Sequence, residues 1–400
     1  MVIKRFFKYP MISVENFYHV LYDNLLRPIN FRMRYYYPFG TCQNLIHRGV
    51  DSKREHLFGL AAPLVLFHYD QEPIYAEDTY AIDVGLSMRR AVERYPQLLA
   101  NSEHSNLKKK ICRDNGFLDW YYFYHGFAAL DWYRDAKYFA NQQEIKHVFL
   151  SFNHLVTDKR SYRMSLLARI LEKRLESCGM ISFHGTPDSC RHEIDSKSSA
   201  VSSHSRSLIS RYLVDRTDLP MIADNASIDG AASARFGHEE QTVRHQALFH
   251  LVNETVFYDN KLHLTEKVFQ PIVVDRPFIL AAAPGNLEYL RSYGFKTFGD
   301  FIDESYDQEQ DPDRRMDLIV DQLQMLCDQP ISRLRDMLTQ MQPILDHNKS
   351  HFFGQFREII ARELLENFDR CLRIWNNGRV DGREIDSHLD LQSIQTLLIS

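Results

Sequence analysis

Between residues 147 and 183 the chain reads strand, helix, strand, and this constrains the fold more than any other feature. His147-Val148-Phe149-Leu150-Ser151-Phe152 is an apolar run of strand character. Met164, Leu167, Ala168, Leu171 and Leu175 then recur on one face of a helix, and Cys178-Gly179-Met180-Ile181-Ser182-Phe183 returns as a strand. A βαβ unit takes about 30 residues or more, and its crossover is right-handed over a parallel sheet. Leu248–Val252 and Pro277–Ala282 supply further strands. An open parallel sheet places its ligand crevice at the carboxyl ends of its strands, so the polar residues that follow these runs are the ones to watch.

A chain of 400 residues is too long for one ordinary core, and at about 150 residues per domain it divides into two. We expect an N-terminal α/β domain over 1–140, a second α/β domain over 141–330 and a helical segment over 331–400. In the first, a helix follows Ser13, with Phe17, Val20, Leu21 and Leu25 in phase. The buried-strand pattern Pro63–His68 runs directly into Tyr69-Asp70-Gln71-Glu72-Pro73. The aromatic stretch 119–127 reads either as packing at a sheet or domain interface or as a stacking surface. In the second, eight serines in the fifteen positions 196–210 suggest a mobile surface insertion. Nine acidic and two basic residues over 300–321 suggest a solvated acidic loop. Met316, Ile319, Val320 and Leu323, then Phe356, Ile360, Leu364, Phe368, Leu372 and Trp375, mark helices, with Gly378 as a stop.

Several classes are excluded. A formal net charge of −5 gives no global field for a polyanion, although Lys108-Lys109-Lys110 with Arg113 is a local basic cluster. The six cysteines form no CxxC pair, so no zinc ribbon or thioredoxin-type site is written here. The opening residues lack the apolar run of a signal peptide, and no stretch reaches the roughly 20 apolar residues of a membrane span. The expectation is a cytoplasmic protein, in a host cytoplasm if the source is viral. GxG, GK, HExxH and GxSxG are all absent. Asp311-Pro312-Asp313 follows an acidic loop instead of a strand end, which disfavours a metal-held sugar diphosphate; no metal site is expected.

What remains is a set of charged residues at strand-to-helix junctions. Thr265 is a good N-cap, which puts Glu266 and Lys267 in a first turn where backbone N–H groups attract an anion. Lys267 opposes the helix dipole there, and a bound diphosphate would reverse that sign; a solvated capping pair is the plain alternative. Arg160 and Arg163 open the helix after Ser151–Asn153, with guanidinium forks suited to phosphate oxygens or to surface ion pairs. Glu72, at the exit of the first domain's strand, is placed either to take a proton from an attacking hydroxyl or to shape the turn before Pro73.

In this order the pieces resemble the α1,3-fucosyltransferase family and the wider GT-B glycosyltransferases. The resemblance is carried by Asn253-Glu254-Thr255 with Leu264-Thr265-Glu266-Lys267 and Arg276-Pro277-Phe278-Ile279, by Ser151-Phe152-Asn153 with Arg160, Tyr162 and Arg163, and by Gln71-Glu72-Pro73. Residues 119–131 and 294–307 look like uncharacterised proteins of tailed bacteriophages. The resemblance implies two Rossmann-like domains facing a cleft, acceptor on the first and nucleotide sugar on the second. It implies a donor site of Asn153, Arg160, Arg163, Asn253, Glu254, Thr265, Glu266 and Lys267, in which Lys267 and one of the two arginines meet the diphosphate, and it makes Glu72 the base. Glu254 stands where the family has a small residue, and Pro271 is expected to kink the donor-site helix or end it early.

The expected activity is therefore metal-independent, inverting transfer of a sugar from a nucleoside diphosphate to an acceptor hydroxyl, with the nucleotide sugar as co-substrate and no further cofactor. The acceptor is a glycan or, given the phage likeness, a hydroxymethylated base in DNA. A binding or assembly protein that keeps the fold without turnover is the third reading.

Overall fold

The computed structural model describes residues 33–36, 55–58, 64–68, 73–74, 97–138, 144–197, 199–223 and 243–377. The chain divides into two units, residues 1–131 with 357–400, and residues 132–356. The helix expected after Ser13, and Glu72, lie outside the described residues. So do Leu372 and Trp375 as side chains, and Gly378.

The first unit holds a five-stranded sheet in the order β2-β1-β3-β4-β5: β1 (Met33–Tyr36), β2 (Glu55–Phe58), β3 (Leu64–His68), β4 (Gln97–Asn101) and β5 (Phe117–Tyr121). Only the β1–β2 pair is antiparallel; β1, β3, β4 and β5 run parallel. Helix α1 (Asn106–Asn115) connects β4 to β5. It starts at Ser105, whose hydroxyl accepts from Lys108 N, and ends at Gly116, whose φ of 68° lets its N–H turn back to the carbonyls of Cys112 and Arg113. The aromatic stretch is core: Trp120, Tyr121, Tyr122, Phe123 and Tyr124 are all buried. Trp120 packs against Phe368 and donates its indole N–H to Leu364 O at 3.2 Å, and Asn367 donates to Tyr121 O at 2.9 Å. The helix Gln355–Asn377 thus closes over this sheet with Ile360, Leu364 and Phe368 inward. Lys108 does not belong to a basic surface: it is 1% exposed, paired with Asp119 at 2.7 Å and bonded to Asn101 O. Lys110 and Arg113 both lean on Asp114.

The second unit is built on a parallel four-stranded sheet, β6 (His147–Asn153), β7 (Gly179–Phe183), β8 (Ala247–Asn253) and β9 (Phe278–Ala281), in the order β9-β8-β6-β7. The β6–helix–β7 crossover is the βαβ unit read from the sequence, with Phe149 to Asn153 in register with Gly179 to Phe183. After β7 the chain crosses back to β8 on the other side of β6. This reversal makes the gap between the carboxyl ends of β6 and β8 the topological switch point of the sheet. Helix α2 (Tyr124–Trp132) leads into this unit. Helix α3 (Tyr162–Glu172) packs against α5 (Ser203–Tyr212) and α8 (Pro312–Cys327), and α4 (Pro187–Asp195) precedes α5. A short α6 (Phe269–Val273) carries Pro271 in its first turn, where a proline is tolerated, and ends before Asp275, whose φ of 54° is left-handed, so the expected stop at that proline is not what ends it. Helix α7 (Asn286–Ser292) follows β9, and α9 (Ile331–Phe353) covers α6.

Two composition-based expectations give way to hydrogen bonding. The serine-rich segment is ordered: Ser202 caps α5 and buried Ser205 donates to Asp313 at 2.6 Å. The acidic stretch is a set of caps and ion pairs, not a solvated loop. Asp307 accepts from the N–H of Leu287 and of Glu288 at the start of α7, Glu304 accepts from Phe298 N, and Asp311 caps α8 through Arg314 N. Asp313 and Asp317 each lie 2.7 Å from the guanidinium of Arg169, which is 2% exposed. Burial alone would raise the Asp313 carboxyl, but hydrogen bonds from Ser202 and Ser205 and the Arg169 charge outweigh it and hold it below the usual range.

Candidate functional site at the β6–β8 switch point

Asn153 is the last residue of β6 and Asn253 the last of β8, so the sheet brings two residues a hundred positions apart to the switch point. Between them lies Ser151, 2% exposed, whose hydroxyl accepts from both amides, at 3.1 Å from Asn153 Nδ2 and 3.0 Å from Asn253 Nδ2. The two amide oxygens are buried and have no hydrogen-bond partner among the described residues, whereas buried polar atoms are nearly always satisfied.

The backbone beyond β8 is clamped from α3. Arg163 is 4% exposed and donates to Leu155 O at 2.6 Å, Asn253 O at 2.8 Å and Glu254 O at 3.0 Å. The Tyr162 hydroxyl donates to Glu254 O at 2.6 Å while its ring stacks on Phe257 at 4.3 Å. Burial raises the Tyr162 phenol, which keeps it a donor. Of the two arginines singled out in sequence, Arg163 is thus a structural clamp. Arg160 sits on the part-exposed turn Asp158–Arg160 that follows β6.

Glu254 carries the sharpest departure from the sequence reading. It is 0% exposed and does not line an open pocket. Its carboxylate accepts from Thr265 N at 3.1 Å, from the Thr265 hydroxyl at 2.6 Å and from Thr255 N at 3.2 Å. An internal carboxylate therefore takes the N–H of the cap residue Thr265 and of Thr255, and in the turn itself Lys267 N–H goes to the Thr265 hydroxyl at 3.4 Å.

Thr265 caps, as expected, but what it caps is a three-residue 3-10 turn, Glu266–Val268, leading into α6, and not a long helix with a developed dipole. The turn is held from behind. The Glu266 carbonyl accepts from the Tyr133 hydroxyl at 3.2 Å, and Phe269 sits among Phe295, Phe352 and Phe356 at 5.1 to 5.5 Å. Lys267 Nζ meets Thr265 Oγ1 and Glu266 Oε1 at 3.1 Å each, with Thr255 Oγ1 at 3.5 Å. Its side chain is 30% exposed against 6% for Glu266, so the ammonium is the charge this corner presents.

The structure therefore gathers Asn153, Asn253, Glu254, Thr265, Glu266 and Lys267 around the end of β8, with Arg163 behind them. Sequence reasoning missed Ser151 and Tyr162 as members, although both stand beside residues it chose. Tyr133 reaches Glu266 across 133 positions and left no local signal. Among the described residues no group of three or more His, Cys, Asp or Glu is placed to hold a metal ion, and no helix is long and apolar enough to cross a membrane. No protein-family model, curated protein or solved structure matches this chain.

Proposed function

We propose that the protein is a glycosyltransferase that moves a sugar from a nucleoside-diphosphate sugar to an acceptor hydroxyl. The observation that carries this reading is the coincidence of a parallel sheet's switch point with the unpartnered Asn153 and Asn253 amide oxygens and the part-exposed Lys267 ammonium. Acceptor oxygens suit the hydroxyls of a sugar or ribose, and the ammonium suits a diphosphate. As the glycosidic bond breaks, the leaving diphosphate gains negative charge, which Lys267 and Arg160 offset in the role a divalent metal plays elsewhere. Glu72 is the residue this reading assigns to deprotonate the acceptor from the face opposite the leaving group, which gives inversion. We carry a glycan as acceptor, because Lys108 is internal and the basic cluster expected to meet DNA phosphates is reduced by it.

The test is a thermal-shift panel of the common nucleoside diphosphates in the presence of a chelator. One of them is expected to raise the melting temperature, and Lys267→Ala to abolish the rise. A melting curve unmoved by every nucleotide would sink the donor site and leave a binding or assembly role. Donor hydrolysis with the nucleotide so identified then separates an enzyme from a protein that only binds.

A further inference from the structure

Glu254 stands where the fucosyltransferases have a small residue, and its burial raises the question of what a carboxylate does there. All three of its partners are donors: two backbone N–H groups and the Thr265 hydroxyl. A hydroxyl has one proton, and with Oγ1 lying 2.6 Å from Glu254 Oε2 the Thr265 proton is committed to the carboxylate. Both lone pairs of Oγ1 then face the other way, where Lys267 Nζ at 3.1 Å and Lys267 N at 3.4 Å meet them. The hydroxyl is polarised by a buried negative charge on one side and receives the ammonium on the other.

We propose that Glu254 is a positioning residue that acts through Thr265 to hold the Lys267 ammonium at the presented edge of this corner. The relay is complete within the chain, and its purpose, to keep a cation ready for the diphosphate of the donor, rests on the glycosyltransferase reading. Glutamine cannot replace Glu254. Its single acceptor oxygen faces three donors, and either way round its amide N–H₂ meets a backbone N–H, that of Thr265 or that of Thr255. Where the amide nitrogen faces Thr265 Oγ1, the hydroxyl becomes its acceptor and is lost to Lys267, whose ammonium keeps Glu266 Oε1 at 3.1 Å.

Amine acetylation with an N-hydroxysuccinimide ester, read by peptide mass spectrometry, reports this directly, with the exposed Lys197 as the reference in the same sample. Relative to Lys197, Lys267 is expected to react several-fold faster in Glu254→Gln and in Thr265→Val. In Thr265→Ser, which keeps the hydroxyl, it should return to the native rate. A general loosening of the fold would accelerate other buried amines, such as Lys261, and would not be rescued by serine. Should Glu254→Gln fail to fold, Glu254→Ala read in the same way takes its place, since Thr265→Val removes a direct partner of Lys267 and tests only the second half of the relay. Equal relative rates in the native protein and the variants would overturn the proposal. Saturating inorganic pyrophosphate forms a separate arm: failure to protect Lys267 in the native protein, with the variant effects intact, counts against the donor site and not against the relay.

Discussion

Strand β8 is gripped at both ends by a buried arginine, and beyond that likeness its ends differ. At the amino end Arg276, 3% exposed, donates to His245 O at 2.8 Å, Ala247 O at 2.9 Å and Asp275 O at 3.1 Å. At the carboxyl end Arg163 makes the equivalent set of bonds to Leu155, Asn253 and Glu254. A planar fork of five donors is well suited to collecting several carbonyls at once. The two histidines beside the amino end are kept uncharged: burial lowers His250 to about 3 and His245 to about 4, and the neighbouring arginine charges push the same way. His250 Nε2 lies 3.0 Å from Arg244 O, so the neutral ring serves as a donor. The carboxyl end instead keeps Glu254, Glu266 and Lys267, together with two amide oxygens that have no hydrogen-bond partner among the described residues. At the amino end the histidines are neutral and Asp275 is paired with Lys349, whereas the carboxyl end presents a part-exposed lysine side chain beside two buried amide oxygens.

Acid should break the amino end first, and this is the largest effect we expect. Unfolded imidazoles bind a proton near pH 6.5, but His250 and His245 in the fold do so only near 3 and 4. Between these limits the unfolded state holds more protons, so stability falls as pH falls. Each imidazole contributes on the order of 2 kcal/mol of loss between pH 6.5 and 5. Urea unfolding across this range measures the slope, and His250→Gln should flatten it. An unchanged slope would mean that the imidazole is already charged or still hydrated.

The two clamps should cost alike. Truncating either arginine removes a buried donor from three backbone carbonyls, of which Glu254 O keeps a second one, the Tyr162 hydroxyl, so Arg276→Met and Arg163→Met are each expected to lose about 3 kcal/mol in urea unfolding. A loss at Arg276 with none at Arg163 would return Arg163 to the list of ligand-binding residues and end the parallel between the ends.

The fold of the second unit was legible because it depends on periodicity. The strand at His147–Phe152, the helix face from Met164 to Leu171 and the strands at Leu248 and Pro277 are buried by local apolar pattern, which a sequence displays. The corner was legible in part, since Thr265 caps whatever lies around it. What Glu254, Arg163 and the acids after residue 300 do was not legible. A charged residue that ends up capping, clamping or pairing with buried Arg169 has the same letter as one facing water, and the Arg169 partners lie 144 and 148 positions away. Composition therefore misread two segments, the serines of α5 and the acids before α8, for one reason: hydrogen bonds to distant groups satisfy them.

The smallest stability effect should come from the residue with the largest functional one. Lys267 is 30% exposed and its partners are a neighbouring carboxylate and two hydroxyls, so Lys267→Ala takes one partner from the buried Glu266 carboxylate and is expected to lose about 1–2 kcal/mol in urea, less than either clamp. The same substitution should abolish the nucleotide-dependent rise in melting temperature. A residue that stabilised the fold would show the reverse ranking, a loss comparable to the arginine clamps with ligand response retained. If Lys267→Ala costs as much as Arg163→Met, the carboxyl end of β8 is as structural as its amino end, and the charge it retains is there for the fold alone.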